Sequence, residues 1–263
     1  MKKFWKFRNV TPQKGELTLY GEISDTSWWG DEVTPADFQR DLKALGDIEE
    51  LNLYVNSPGG DVFAGFTIYN QLKRHSARKI VHVDGLAASA ASVICMAGDE
   101  IIMPENASMM IHEASAITAG NKAKMRKMAD ELERIDGQIA GIYAEKTGKK
   151  PEELLEMMEA ETWMNGSEAL EQGFCTAVEE AKKVAACVGR SYFARYSNVP
   201  ADLLEDWDDE PEGTGEEPPA DGEETPQPVT DKTPAEDSAR ISAQMEARKR
   251  RLELMNKKMK MEE

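Results

Sequence analysis

Residues 16–23, Glu-Leu-Thr-Leu-Tyr-Gly-Glu-Ile, alternate apolar and polar positions and predict a first strand. Beyond Trp28-Trp29-Gly30 the period changes. Phe38, Leu42 and Leu45 form a helical stripe, with Thr34 placed to cap it, Pro35 in its first turn and Gly46 to end it. Leu51, Leu53 and Val55 then alternate through a second strand, which runs into Asn56-Ser57-Pro58-Gly59-Gly60-Asp61. A helix follows in which Val62, Phe66 and Tyr69 share a face. From Val81 to Gly98 the chain begins as a β-branched alternating run, passes Gly85, and continues through small residues into an apolar run. That order predicts a buried strand, a sharp turn and a tightly packed helix, with Ser89 in the helix's first turn. Two more short strands are expected at 100–103 and 108–112, around Pro104-Glu105-Asn106.

Strand–helix units in succession imply an α/β fold with a largely parallel sheet and helical crossovers. Loops at the C-terminal ends of such strands gather ligand-binding groups. The glycine-bearing turns at 57–60 and 85–88 hold that position and are expected to face one site.

The longest helix is predicted over 120–146, where Met125, Met128, Leu132, Ile135, Ile139 and Ile142 recur at spacings of 3, 4, 3, 4 and 3. This narrow seam suits a helix gripping another helix, either within its own domain or in self-assembly. A further helix starts at Pro151 with Leu154, Leu155 and Met158; Thr162-Trp163-Met164-Asn165 lead to a short one from Ser167 to Gln172, stopped by Gly173. Apolar residues 174–178 close the globular part, giving a domain over 1–195. Pro, Gly, Asp and Glu dominate 196–238, which is expected to be a disordered linker. Residues 239–263 set Ile241, Met245, Leu252, Met255 and Met259 on one side of a basic amphipathic helix, which is either a partner-binding element or a frayed tail.

The 263 residues carry a net charge of −17, unevenly spread. Residues 201–240 hold 15 acidic and 2 basic side chains, whereas 241–263 hold 4 and 7. The acidity belongs to the tail, and no basic face points to nucleic acid. Cys95, Cys175 and Cys187 form neither a disulfide framework nor a metal cluster, so no metal or cofactor is indicated and a reducing compartment is expected. The basic N-terminus lacks the apolar core of a signal peptide, and no run is long enough to span a membrane. The expected location is cytoplasmic.

Three histidines limit the search for a base. His75 ends a helix and His82 lies inside a strand, both structural positions. His112 ends the strand Met109-Met110-Ile111 and opens a loop of small residues, with room to face a cleft. A neutral imidazole there is able to take the proton of Ser89 and return it to a leaving amine. Ser89 itself has two readings, nucleophile or a small residue that lets backbones approach. Ser92, three residues deeper in the helix, is set aside. Of the acids able to orient His112, Glu113 is adjacent and should point away; Glu161, just before Thr162-Trp163, is the better candidate, its other reading being a solvated surface carboxylate. The backbone N–H groups of Ala90 and of the Gly59-Gly60 turn are candidate oxyanion donors.

Together, Asn56-Ser57-Pro58-Gly59-Gly60, Gly85-Leu86-Ala87-Ala88-Ser89 and Met110-Ile111-His112 resemble the three signature blocks of the Clp protease proteolytic subunit, ClpP, in the correct order. A fourth block, from Thr147-Gly148 through Glu161 to Ser167-Glu168-Ala169 and Gly173, is similar to the segment that carries the family's third triad member. The resemblance covers roughly residues 15–180. It implies a serine peptidase with Ser89 as nucleophile, His112 as base, Glu161 as third member, and Gly60 and Ala90 as oxyanion donors. It also implies the ClpP/crotonase-like spiral of β-β-α units, homo-oligomeric rings, and a projecting handle helix where the 3.5-period seam lies. Two departures are small: glutamate stands where the family usually has aspartate, and Ala90 stands where methionine is common. The third is the tail, which with the Trp-Trp-Gly and Glu-Thr-Trp-Met-Asn segments looks more like the ClpP-like head maturation (prohead) proteases of bacteriophages.

The main expectation is therefore an ATP-independent serine endopeptidase that cleaves capsid or scaffold precursor in the host cytoplasm, within the procapsid, its C-terminal helix binding scaffold or capsid. The alternatives are a cellular ClpP with an ATPase partner, a crotonase-like acyl-CoA enzyme, and a catalytically silent assembly protein.

Overall fold

A computed structural model describes residues 3–24, 35–181, 193, 195–200 and 203, all within the compact unit Met1–Glu210. Thr34, the Trp28-Trp29-Gly30 segment, Cys187, the acidic stretch beyond residue 203 and the C-terminal helix expected at 239–263 lie outside the described residues.

One mixed sheet organises the body. β1 (Trp5–Thr11) and β2 (Lys14–Tyr20) form an antiparallel hairpin. β3 (Glu50–Ser57), β4 (Arg78–Ala88) and β5 (Glu100–Pro104) then add in parallel, followed at the edge by β8 (Ala177–Glu179). Leu51, Leu53, Val55, Val81 and Val83 are fully buried, as the alternation in these central strands requires. The connecting helices are α1 (Pro35–Lys43), α2 (Val62–Arg74) and α3 (Ala90–Cys95). β6 (Ser108–Ile111) pairs with the far end of β4, and β7 (Thr162–Met164) pairs antiparallel with β6. β4 thus changes neighbours along its length, from β5 at Ile80–His82 to β6 at Leu86–Ala88. That step carries the chain from the main sheet to the site.

α4 (Lys122–Thr147) is capped by Asn121, whose side chain accepts from the N–H groups of Ala123 and Lys124. Its buried residues, Ile135, Asp136, Ile139, Ala140 and Tyr143, all fall in the second half. Met125 is exposed and Met128 and Leu132 are half-buried, so the seam read from sequence is only partly covered. α5 (Pro151–Glu159) and α6 (Gly166–Glu171) complete the body.

Several elements differ from expectation. β1 has no sequence signature because it is an edge strand, with Trp5 buried and Arg8 to Thr11 exposed. The buried face of α2 includes Ala64, Ile68, Tyr69 and Leu72, while Val62 and Phe66 are half-buried. Gly85 does not make a turn. β4 runs through it to Ala88, and a Cβ there would lie 3.3 Å from Asn56 Oδ1, which accepts the N–H of Leu86. Gly85 leaves room for the close approach of Asn56, and the sharp turn falls on Ser89 itself.

Candidate active site

The loop after β3 is tied down before it reaches the site. Ser57 Oγ donates to the Gly21 carbonyl at 2.6 Å and accepts from Gly59 N–H at 3.2 Å. Asp61 caps α2 by accepting from Ala64 N–H at 2.7 Å. Between them Gly59 and Gly60 have φ of 86° and 147°. A Cβ at 59 would lie 2.6 Å from the Ala88 carbonyl oxygen and 2.7 Å from Ser89 Cβ; at 60 it would lie 1.9 Å from the Ile23 carbonyl oxygen. Side chains are excluded here, which lets the loop backbone lie against Ser89.

Ser89 joins β4 to α3 with φ of 55° and ψ of −125°. Such a conformation in a non-glycine residue costs on the order of 1–3 kcal/mol and persists only where the surroundings impose it. They do so here: Ser89 N–H donates to the Met110 carbonyl at 2.9 Å, and the Ser89 carbonyl accepts from Ser92 Oγ at 2.6 Å. The strain turns the hydroxyl toward His112, whose Nε2 lies 2.8 Å from Ser89 Oγ. Among the described residues, the N–H groups of Gly60 and Ala90 have no hydrogen-bond acceptor, and both residues line the cavity beside Ser89. That cavity has a volume of about 380 Å³, with Val93, Ile135 and Ile139 in its apolar wall.

Burial pushes His112 below its usual range; Glu161 opposes this and Arg195 adds to it. The imidazole is therefore neutral at neutral pH and able to accept a proton. Glu161, with φ of 52°, does not hydrogen-bond His112 among the described residues. Its carboxylate accepts from Trp163 Nε1 at 3.2 Å and from the N–H groups of Ser197 and Asn198 at 2.8 and 2.6 Å. Burial raises the Glu161 pKa, but these donors and His112 outweigh it and keep the group ionised. The coupling between the two side chains is a through-space charge effect.

Other candidates resolve simply. Ser92 Oγ is engaged with the Ser89 carbonyl and, at 2.8 Å, with the hydroxyl of fully buried Tyr143. Ser92→Ala is expected to leave Ser89 reactive while lowering stability by about 1–3 kcal/mol, because the Tyr143 hydroxyl loses its partner; thermal denaturation and active-serine labelling read the two effects separately. His75 Nδ1 accepts from Ala77 N–H, and His82 stacks on Tyr54 with Nε2 at 3.1 Å from Asn52 Oδ1, so both are structural. Cys95 is buried and its thiol is pushed up to about 12 by that burial, which removes it as a competing nucleophile. No group of three or more His, Cys, Asp or Glu side chains able to hold a metal is found among the described residues, and no described helix is long and apolar enough to cross a membrane.

Two residues at the site carry no sequence signal. Asp136 is buried on α4, and its Oδ1 accepts from Ala114 N–H at 2.7 Å, fixing the segment after His112. Tyr196 places its ring edge-on to His112, centroids 5.4 Å apart, although composition assigned residue 196 to the linker.

A Clp protease family model matches residues 36–182. The chain is 35% identical over 133 residues to the ATP-dependent Clp protease proteolytic subunit of Deinococcus radiodurans, a match spanning 49% of this chain and 65% of that protein. It is 31% identical over 144 residues to the subunit of the same name from Pleurastrum terricola, spanning 54% and 73%. It is 33% identical over 136 residues to the ATP-dependent Clp protease proteolytic subunit 2 of Tropheryma whipplei, spanning 51% and 75%. All four blocks singled out above, from Asn56 to Gly173, fall inside the matched residues. The chain belongs to the Clp protease family.

Proposed function

We propose that the chain is a serine-type endopeptidase of the ClpP kind, in which Ser89 attacks the peptide carbonyl and His112 is the general base. The observation that carries this reading is the 2.8 Å contact between Ser89 Oγ and His112 Nε2, made beside two unoccupied backbone N–H donors. In the first step neutral His112 takes the Ser89 proton as Oγ bonds to the carbonyl carbon. Negative charge moves to the carbonyl oxygen, where the N–H groups of Gly60 and Ala90 stabilise it. His112 then protonates the leaving amine, the C–N bond breaks, and an acyl-Ser89 remains. Water, deprotonated by His112, releases the acid and restores the serine. Glu161 favours the imidazolium that forms in each half-reaction through its charge.

Because burial depresses His112, the acid limb of kcat/KM is expected to lie below the ordinary histidine value of about 6.5. The sign follows from the base role: activity is lost as pH falls through the His112 pKa. Glu161→Gln removes a charge that supports the imidazolium, so it should move that limb further toward acid while slowing turnover. A pH profile of peptide hydrolysis for both proteins checks the direction.

The relatives named above are ATP-dependent Clp protease subunits, and this favours work with an ATPase partner over ATP-independent head maturation. The head maturation reading rests on the acidic 201–240 segment and the basic 241–263 segment, together with the Trp-Trp-Gly and Glu-Thr-Trp-Met-Asn segments. The deciding experiment presents a folded protein substrate and an unstructured polypeptide to the purified chain, with and without a Clp-type unfoldase and ATP. Cleavage of the folded substrate only with the ATPase supports the cellular reading; efficient cleavage of a capsid precursor without it supports the other. Loss of neither activity in Ser89→Ala would remove the peptidase reading. For both, we infer assembly into homo-oligomeric rings, with the exposed first half of α4 at a contact between subunits.

A further inference from the structure

Ser89 and His112 stand between two different surroundings. On one side is the cavity, which Gly60, Ala90 and Ala114 also line. On the other lie Phe193 and residues 195–200 of the same chain, none of which is among the cavity-lining residues. Phe193 is buried with Leu86, Ala88 and Met110, and Trp163, Tyr196 and Val199 pack around this cluster. The Tyr196 ring meets His112 at an interplanar angle of 84°, and its hydroxyl donates to the Pro58 carbonyl. The main chain is held as well. Ser197 and Asn198 donate their N–H groups to Glu161, Asn198 Nδ2 donates to the Ala160 carbonyl at 2.9 Å, and Arg195 pairs with Glu22 at 3.0 Å. All of this segment lies beyond residue 182, where the family match ends.

We propose that Phe193 and residues 195–200 are a built-in occupant of a peptide-binding groove beside Ser89 and outside the cavity, and that an extended polypeptide is cut only when this strap lifts off. The inference rests on the peptidase reading above. An extended substrate has residues on both sides of its scissile bond; one side can lodge in the cavity, and the other must pass where Tyr196 sits. The groove takes aromatic side chains beside Leu86, Met110 and Trp163, and pairs main-chain N–H groups with the Glu161 carboxylate. A substrate displacing the strap meets the same chemistry. Its apparent affinity falls by the fraction of molecules in which the strap is open. A small electrophile that needs only the cavity and Ser89 pays no such tax.

The test uses the full chain and two variants. Phe193→Ala removes the ring buried against Leu86, Ala88 and Met110. Glu22→Arg sets like charges against Arg195 at an exposed position and leaves the core intact, so it decides the matter if the first variant misfolds. Two rates are measured: labelling by a small fluorophosphonate, and cleavage of a fluorogenic peptide with several residues on both sides of the scissile bond. The expected result is a rise of about tenfold in peptide cleavage with labelling changed by less than about twofold. Unchanged peptide cleavage with labelling intact would overturn the strap. So would reduced labelling in both variants, which would mean that the segment builds the site. Absence of labelling in all three proteins would remove the peptidase reading itself, and the strap's role with it.

Discussion

Ser89→Ala is expected to lower peptide cleavage by at least about 10⁴-fold, and His112→Ala by a similar factor. The reason is that the two side chains act as one unit. Without the imidazole 2.8 Å away, the Ser89 hydroxyl keeps its proton at neutral pH; without the hydroxyl, the imidazole has no nucleophile to activate. The double variant should therefore be about as slow as either single one, far from the product of the two losses. Multiplicative losses in steady-state peptide hydrolysis would show that the pair does not work together. Neither substitution should disturb the fold. Ser89 holds its position through its backbone, by the Met110 and Ser92 contacts, and alanine retains both.

Gly60→Ala is expected to be comparably damaging by a different route. A methyl group at this position would sit 1.9 Å from the Ile23 carbonyl oxygen, and the φ of 147° is one that only glycine adopts readily. Something has to move, and the movable part is the loop that presents the Gly60 N–H. Loss of one oxyanion donor costs about 10²–10³-fold in kcat, and the displaced loop also presses on Ser89 through Gly59. Gly59→Ala should behave alike, because its Cβ would meet Ser89 Cβ at 2.7 Å. A fall in kcat at little changed KM, with a cooperative melting transition retained, is the expected signature. Activity within about twofold of the parent would show that this N–H does not face the reacting carbonyl.

The central strands were legible because they bury one face or both: Leu51, Leu53 and Val55 announce β3 without ambiguity. The site blocks were legible for a related reason, since glycines excluded from carrying a side chain and a serine followed by small residues leave a compositional mark. What could not be read was set by distant partners. β1 is an edge strand whose exposed residues follow no alternation. Gly85 advertised a turn, yet its role is to let Asn56 of a neighbouring strand approach. Glu161 was identifiable as an acid near the site, but the Ser197 and Asn198 N–H groups that engage it come from more than thirty residues away. Tyr196 was hidden for the opposite reason: the acidic, proline-rich stretch that follows it drew its surroundings into the linker. Composition describes the average of a segment, and a single aromatic residue docking against an imidazole is invisible to it.

The central claim is that Ser89 is a nucleophile activated by His112. Treating the full-length protein with a fluorophosphonate at neutral pH, and locating the adduct by peptide mass spectrometry, tests it most directly. The account predicts one adduct, on Ser89, that disappears in His112→Ala and persists in Ser92→Ala. A folded protein that takes no adduct, or takes it on another serine, would contradict it.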